Sequence, residues 1–228
     1  MCGRYTLHQG IRDIAKRFHV INIPTTDISI NYNVAPGQFM PVIINGENGK
    51  QLETMKWGLV PTWAKNPHIG YRLINVRDDT IFNKPIWLNA IQKYRVLIPA
   101  NGFYEWRKPD NPNEQKQPFY IRPKQEELFG FAGVWATWKD SEGKELKTYS
   151  IITTEPNKEI GKIHNRMPVI LYQKDESIWL ESSYMSRDDM ESLLRPYEDG
   201  GLKIDKVSRD VNSVRNNYAK LIYPISSQ

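Results

Sequence analysis

Short runs of β-branched and aromatic residues, separated by turn-forming residues, recur along most of this chain. The runs cover residues 41–45, 51–57, 95–99, 103–106, 119–121, 128–138, 147–153 and 169–172. Two connections, Asn45-Gly46-Glu47-Asn48-Gly49 and Asn101-Gly102, carry the turn residues that predict β-hairpins. Many short strands with few helices predict an α+β fold, with a curved, barrel-like, largely antiparallel β core and short peripheral helices.

Helical patterns are few and short. The clearest spans residues 10–19, where apolar side chains recur at the spacing of one helix face. Ser186, followed three residues later by Asp189, predicts the start of another helix. Further short helices are predicted directly after Pro156 and over 81–90 and 213–219.

The composition indicates a globular protein. The chain has 228 residues, of which 39% are hydrophobic, enough for one large packed domain, which we place at residues 2–224 with 225–228 as a tail. Charged side chains in the first twenty residues argue against a secretory signal, and we find no apolar run long enough to cross a bilayer. We therefore expect an intracellular protein, in the cytoplasm or nucleoid of a bacterium or in the nucleus of a eukaryote, with no membrane partner.

Several kinds of chemistry receive no support from the sequence. One cysteine excludes an internal disulfide framework, and the four histidines are too scattered to predict a metal site. Phosphate-loop and dinucleotide-binding motifs are missing, so we expect no nucleotide or other cofactor. The formal net charge of +5 permits nucleic-acid binding without requiring it.

The single cysteine, Cys2, directly follows the initiator methionine. Met1 is normally removed before a small residue, and its removal would leave Cys2 with an α-amine and a thiol on adjacent carbons. Their ordinary pKa values, about 8 and about 8.5, make both nucleophiles partly available near neutral pH. Such an aminothiol captures an aldehyde as an imine and then closes a five-membered thiazolidine. The alternative is an ordinary small residue that happens to follow Met1.

Three other side chains are candidates for catalysis or substrate binding. Strand alternation puts Glu105 on the same face as Phe103, where burial would raise its pKa and make it a general acid and base; the alternative is a solvent-facing glutamate. His164 stands between a predicted helix and a predicted strand, where loops often carry function, although a structural histidine is the alternative. Asn75 either binds an oxygen of a ligand or satisfies loop backbone.

Basic and aromatic residues interleave in a way that suits single-stranded nucleic acid. The arginines close to the segments above are Arg4, Arg72, Arg77 and Arg166, and the tryptophans are Trp57, Trp63, Trp106, Trp135 and Trp138. We expect most of these tryptophans to lie in the core. Trp63 is the exception, because prolines bound the loop that carries it.

Taken together, these segments resemble the SOS-response-associated peptidase (SRAP) family, whose members shield abasic sites in single-stranded DNA by covalent capture. The matching segments are Met1-Cys2-Gly3-Arg4-Tyr5, Asn101-Gly102-Phe103-Tyr104-Glu105-Trp106, 32–37, 57–63, 74–77, 163–168, and 207–208 with Asn216. They span residues 2 to about 224 in the family's order, so the resemblance implies one SRAP domain.

The resemblance implies a role for each candidate. Cys2 becomes the nucleophile after removal of Met1, Asn75 and Glu105 lie beside the sugar, and His164 transfers protons. The residues implied to contact phosphates are Arg4, Arg77 and Arg166, and those implied to line the DNA path are Asn33, Pro36, Trp63 and Thr153. The implied activity is a thiazolidine crosslink to abasic sites in single-stranded DNA, accompanied by lyase activity and self-cleavage, in a protein that acts as a monomer.

Two positions depart from the family's pattern. Asp79 stands where a glutamate is usual, and Ala64 stands where a second aromatic residue is common after Trp63. The second departure predicts a weaker wedge against duplex DNA, because one stacking ring is missing.

Two other classes of function remain open from the sequence. An N-terminal-nucleophile amidohydrolase would use the Cys2 thiolate on an amide, typically within a four-layer fold that needs longer helices than this chain predicts. A non-catalytic reader of single-stranded or modified DNA would depend on the arginines and tryptophans, and Cys2 would then be incidental.

Overall fold

The computed structural model describes residues 2–22, 30–109, 111, 113–181 and 185–225 of the chain. The expected removal of Met1, and residues 226–228 of the predicted tail, lie outside the described residues. Ile225, the first residue of that tail, donates its backbone N–H to Lys206 O at 2.9 Å.

Strands outnumber helices, as the recurrent apolar runs predict. The strands are β1 (Tyr5–Leu7), β2 (Asn31–Val34), β3 (Phe39–Gly46), β4 (Gly49–Trp57), β5 (Asn75–Arg77), β6 (Arg95–Ala100), β7 (Gly102–Arg107), β8 (Gln117–Pro123), β9 (Phe129–Lys139), β10 (Glu145–Thr154), β11 (Met167–Pro168), β12 (Ile170–Leu171) and β13 (Leu202–Lys206). The α-helices are α1 (Ile11–Phe18), α2 (Asp78–Ile81), α3 (Pro85–Lys93), α4 (Gln173–Glu181) and α5 (Arg187–Leu193). Short 3₁₀ turns occupy Pro67–Arg72, Ile160–Lys162, Arg209–Asn212 and Ala219–Ile222.

Five strands close into a barrel in the order β10-β4-β3-β6-β9, and β9 pairs with β10 to complete the circle. Most pairs are antiparallel, but β10 runs parallel to β4 and to β5. The predicted α+β fold with a barrel-like, largely antiparallel core is therefore confirmed. The turn at 45–49 forms the predicted hairpin between β3 and β4.

A second sheet, in the order β13-β8-β7-β1-β2, packs against the barrel. Tyr5 of β1 contacts the barrel: its ring lies edge-on to Trp57 of β4 and to Phe131 of β9, with ring centroids 5.2 and 6.0 Å apart. The Tyr5 hydroxyl also lies 2.8 Å from that of Tyr149 on β10. The N-terminal strand is therefore held against the barrel by fully buried aromatic side chains.

The hairpin predicted at Asn101-Gly102 is wrong, because β6 belongs to the barrel and β7 to the second sheet. At this crossing Asn101 accepts the backbone N–H of His8 at 2.7 Å and donates to Glu127 O at 2.5 Å. A Cβ at position 102 would lie 2.4 Å from the ring of Tyr120. Glycine therefore serves close packing at this position, rather than a hairpin turn.

Of the five helix predictions, those over 10–19 and at Ser186 are confirmed and that over 213–219 is wrong. The helix predicted over 81–90 is shifted to Pro85–Lys93, and the residues after Pro156 contain only the 3₁₀ turn Ile160–Lys162. Residues 11–18 are helical, and the Ser186 side chain caps α5 by accepting the N–H of Asp189. No helix spans 213–219, where the structure has only the start of a 3₁₀ turn at Ala219. There the Asn33 side chain binds two backbone carbonyl groups that a helix would need, those of Ser213 and Asn216.

No helix among the described residues is both long and apolar enough to span a membrane.

Candidate functional site

Cys2 lies where the second sheet meets the barrel. β1 pairs with β7 in a register that places Tyr5 opposite Phe103. Continued toward the N-terminus, this antiparallel register places the first residues of the chain beside Glu105. The Cys2 carbonyl accepts a hydrogen bond of 2.8 Å from the Asn75 side chain, which comes from β5 of the barrel sheet. Cys2 is therefore fixed from both sheets, and it is fully buried.

Glu105 is a buried carboxylate on β7. It is 2% exposed, which rules out the solvent-facing alternative. Burial raises the pKa of Glu105, because the charged form loses its hydration, and nearby His164 partly lowers the pKa again. A carboxyl group with a raised pKa is suited to give and take protons near neutral pH.

The Cys2 thiol titrates in the same buried environment. Burial raises the pKa of this thiol above its ordinary value, and the negative charge of Glu105 raises it further. The thiol therefore stays protonated in this arrangement. A reaction through its sulfur needs a group that accepts the proton, and Glu105 is close enough to interact with it electrostatically.

The carboxyl end of β10 gathers the other candidates. β5 pairs with β10 on one side, with Arg77 opposite Thr153, and β11 pairs with it on the other side, with Pro168 opposite Thr153. The segments that carry Asn75 and His164 therefore flank one strand end. Thr153 itself is fully buried, and its hydroxyl donates to Val76 O at 3.3 Å.

His164 is half-buried just before β11. Its Nδ1 accepts the backbone N–H of Arg166 at 3.1 Å. The same Nδ1 lies 3.2 Å from the Arg166 carbonyl oxygen, to which it donates in the other tautomer. The loop thus fixes the orientation of the ring, and either tautomer has a backbone partner.

Arg166 is buried rather than displayed to solvent. Its guanidinium donates to Asp78 Oδ1 at 2.5 Å and to the backbone carbonyl of Thr153. Asp78 also accepts the Thr154 hydroxyl at 2.7 Å. In this structure Arg166 ties the His164 loop to the end of β10, and its implied contact with a phosphate remains a prediction.

Arg4 and Asn33 form a second bonded pair. Arg4 donates to Asn33 Oδ1 at 2.7 Å and to Val211 O at 2.8 Å, and its guanidinium lies 5.9 Å from the ring centre of Trp106. Asn33 is 1% exposed, and its amide binds the backbone of the C-terminal segment. Asn33 therefore orients Arg4, and its implied place along the DNA path also remains a prediction.

Arg77 is exposed, and its side chain forms a bidentate pair with Asp79, at 3.0 and 2.5 Å. Asp79 is one of the two positions that depart from the family's pattern. Its carboxylate occupies the Nε–H and one Nη2–H, an edge of the guanidinium that a phosphate would otherwise bind in the same bidentate way.

The exposed tryptophan predicted at position 63 is present, with 67% of Trp63 exposed. Ala64 beside it is buried, and its carbonyl accepts the indole N–H of Trp138 at 2.7 Å. Position 64 therefore presents no side chain to a ligand. Pro36 is half-buried in the turn that follows β2.

Comparison with known proteins identifies the family. The family described as SOS response associated peptidase (SRAP) matches residues 1–214. The abasic site processing protein YoaM of Bacillus subtilis is 42% identical over 97% of this chain and 97% of its own length. The chain belongs to the SRAP family.

More distant relatives agree with this assignment. The abasic site processing protein HMCES of Gallus gallus is 32% identical and matches 86% of this chain and 66% of its own length. A crystal structure of a protein from Bacteroides thetaiotaomicron superposes with a TM-score of 0.87 at 28% identity, covering 99% of this chain and all of that one. The barrel and second sheet are thus the shared SRAP fold.

Sequence reasoning on this SRAP chain missed two features of the site. Asp78, which holds Arg166, directly follows the matching segment 74–77 and is less exposed than its neighbour Asp79. The buried hydroxyl pair of Tyr5 and Tyr149 interacts electrostatically with Cys2, and burial raises the pKa of both phenols. No local pattern links Tyr5 to Tyr149, because their contact depends on how the two sheets pack.

Proposed function

We propose that this protein forms a covalent crosslink with abasic sites in single-stranded DNA through an N-terminal Cys2. The observation that carries the proposal is the placement of Cys2 between Asn75 of the barrel sheet and Glu105 of the second sheet. Membership of the SRAP family supports the same substrate, because the relatives of this chain are named abasic site processing proteins.

The proposed reaction begins once Met1 has been removed and the Cys2 α-amine is free. The amine adds to the C1′ aldehyde of the ring-opened sugar, and loss of one water gives an imine. The Cys2 sulfur then adds to the imine carbon, and the thiol proton ends on the ring nitrogen of the thiazolidine. Glu105 and His164 move protons during ring opening, loss of water and closure.

The same imine explains the accompanying activities that we propose. If a base removes a proton from C2′ before the sulfur adds, β-elimination cleaves the strand, and the protein acts as a lyase. Self-processing would remove Met1 at the same site. Cys2→Ala separates self-processing from ordinary trimming of Met1, because the variant keeps a small second residue but loses the thiol. Intact-mass measurement shows whether Met1 is still present. If Met1 is absent from this variant as well, Met1 is removed by ordinary trimming and not by the site.

A blocked N-terminus tests the crosslink. Protein with one additional residue ahead of Cys2 should still bind a single-stranded oligonucleotide with one abasic site but give no heat-stable adduct on a denaturing gel. Cys2→Ser should form an imine that borohydride traps, without the stable adduct. An undiminished heat-stable adduct from either protein contradicts the mechanism.

The sequence also left open an N-terminal-nucleophile amidohydrolase and a non-catalytic DNA reader. The barrel and short helices of the described residues differ from the four-layer fold typical of N-terminal-nucleophile amidohydrolases. A non-catalytic DNA reader is compatible with the fold, and Cys2→Ala separates it from our proposal. A reader would keep its full function in this variant, whereas a crosslinking protein would lose the adduct.

A further inference from the structure

Two exposed aromatic side chains, each next to Lys56 of β4, lie outside the site described above. Phe39, at the start of β3, is 58% exposed, and Tyr71, in the 3₁₀ turn after the Trp63 loop, is 52% exposed. Large aromatic rings usually avoid this much contact with water, and neighbouring ones on one surface indicate a binding site.

The position of Tyr71 is fixed by its neighbours. Its ring lies so close to Gly37 that a Cβ there would be 2.9 Å from it, and the φ of +90° at Gly37 also favours glycine. The other neighbour is His68, whose ring stacks on Tyr71 with centroids 6.1 Å apart. The ring is therefore held in place before any ligand binds.

A positive charge accompanies the two rings. Lys56 on β4 is the direct partner of Phe39 in the antiparallel ladder, so the two side chains share one face of the sheet. The Lys56 ammonium lies 5.5 Å from the ring centre of Tyr71. We call Phe39, Tyr71 and Lys56 the aromatic platform.

The aromatic platform adjoins the surface around Trp63. A cleft of about 330 Å³ is lined by the side chains of Trp63, Lys65, Asn66, His68, Ile69 and Arg72, among others. His68 belongs to this cleft and also stacks on Tyr71, so the cleft and the platform are continuous. Together they present aromatic rings and basic side chains, the combination that binds single strands by stacking bases and attracting phosphates.

We propose that the aromatic platform stacks unpaired nucleobases of the DNA strand whose abasic site reacts at Cys2. The inference rests on the proposed function and extends it to bases a few nucleotides from the lesion. Lys56 and Phe39 lie level with Thr148 of β10, five residues before Thr153. At roughly 3.3 Å per residue and about 4.8 Å per strand, the platform is roughly 15–20 Å from the candidate site.

A fluorescent base provides a direct test that does not depend on crosslinking. 2-Aminopurine, whose fluorescence falls when it stacks on an aromatic ring, is placed at successive positions on either side of the abasic site. With the wild-type protein we expect quenching at two to four nucleotides on one side. The double variant Phe39→Leu/Tyr71→Leu keeps apolar side chains without flat rings, and it should lose that quenching and bind about tenfold more weakly.

Matched controls separate stacking from a general defect. Tyr71→Phe retains the ring and should keep the quenching, and Ile178→Ala, a change at an exposed position of α4, should behave as wild type. A minimal abasic substrate with one nucleotide on each side should crosslink to the double variant at the wild-type rate. If the double variant crosslinks this minimal substrate as slowly as it crosslinks long oligonucleotides, the substitutions damage the candidate site, and that result would contradict the role of the platform.

Three further results would also overturn the inference. One is quenching that is the same in wild type and double variant at every position. Another is a double variant whose affinity for long oligonucleotides is unchanged. The third is a wild-type self-association that the double variant abolishes without any effect on DNA, which would make this surface a protein interface. An oligonucleotide without an abasic site still reports stacking. Failure of the stacking inference is therefore distinguishable from failure of the proposed crosslink.

Discussion

Glu105 is a carboxylate that the fold keeps almost entirely out of water. A raised pKa means that the folded protein favours the protonated form more than the unfolded chain does. The contribution of Glu105 to stability is therefore fully present below the ordinary glutamate pKa. It is lost as the pH rises through the pKa that Glu105 has in the folded protein. At neutral pH this carboxylate reduces stability, which is common for groups retained for chemistry.

Glu105→Gln should therefore separate stability from activity. We expect a higher Tm than wild type at neutral pH, and a difference that disappears toward acidic pH, where Glu105 itself is neutral. Crosslinking should slow by about 10²- to 10⁴-fold, because the amide cannot exchange a proton. Calorimetry across pH and single-turnover gels measure both effects. Glu142→Gln, in an exposed turn, is the control. Crosslinking at the wild-type rate in Glu105→Gln would mean that Glu105 has only a structural role.

Asp79 affects how available the Arg77 guanidinium is to a DNA phosphate. The bidentate pair lies at the surface, so it adds little to stability, but it occupies one bidentate edge of the guanidinium and offsets its charge. Asp79→Asn should leave the Tm unchanged and tighten binding to single-stranded DNA, because Arg77 is then able to pair with a phosphate. The salt dependence of binding should steepen by about 0.7 in log–log slope. An unchanged slope would place Arg77 away from the strand.

At the scale of elements, the end of β10 organises the site by holding β5 on one side and β11 on the other. The ion pair of Arg166 and Asp78 joins these neighbours across the strand end. Since the Arg166 side chain is only 10% exposed, the Asp78 carboxylate supplies the opposite charge beside its guanidinium. The pair therefore fixes the loop that presents His164, two residues before Arg166.

Asp78→Asn preserves the shape of the side chain but leaves the Arg166 charge without its partner. We expect unfolding to become easier by about 2–3 kcal/mol, together with slower crosslinking as His164 loses its fixed position. Asp79→Asn, one residue further on, is the matched control and should keep the wild-type Tm. Denaturant unfolding and the pH profile of the crosslinking rate test both effects. An unchanged profile would mean that the ion pair does not position His164.

Sequence patterns predicted elements well where local signals decide the structure. The 45–49 turn and the Ser186 cap formed as expected, since their bonds are made within a few residues. The Asn101-Gly102 turn and the 213–219 helix failed because contacts distant in sequence decide both places. Helix α4 and strand β13 were not predicted, and β13 is defined by its pairing with β8.

At the scale of the molecule, the candidate site exists only because two sheets meet. Cys2 and Glu105 come with the second sheet, whereas Asn75 and His164 come with the barrel. No spacing in the sequence predicts that these four residues approach one another. Their association was inferred from the family resemblance, and the structure gives its physical basis in the buried contact of Tyr5 with Trp57 and Phe131.

This arrangement leads to an expectation about the form of the DNA. A sugar that reaches the seam between two sheets must leave its own helix, and in a duplex that movement costs stacking and pairing energy. Trp63 is exposed and the neighbouring Ala64 is buried, so our proposal gives this surface one ring, not two, for stacking against the end of a duplex. Abasic single strands, and junctions of single- and double-stranded DNA, should therefore crosslink faster than an intact duplex.

Rates on matched oligonucleotides at several salt concentrations test this expectation. If Arg4 and Arg166 each contact one phosphate while Asp79 holds Arg77, the affinity for single strands should fall with a log–log slope of about −1.4, and a slope of about −2 would mean that Arg77 leaves Asp79 to contact the backbone as well. Because Arg4 and Arg166 are bonded within the protein, a slope near zero would mean that they keep those bonds. A single strand without an abasic site is the control for binding and should give the same slope. Equal rates on duplex and single strand would show that the seam between the sheets does not select the form of the DNA.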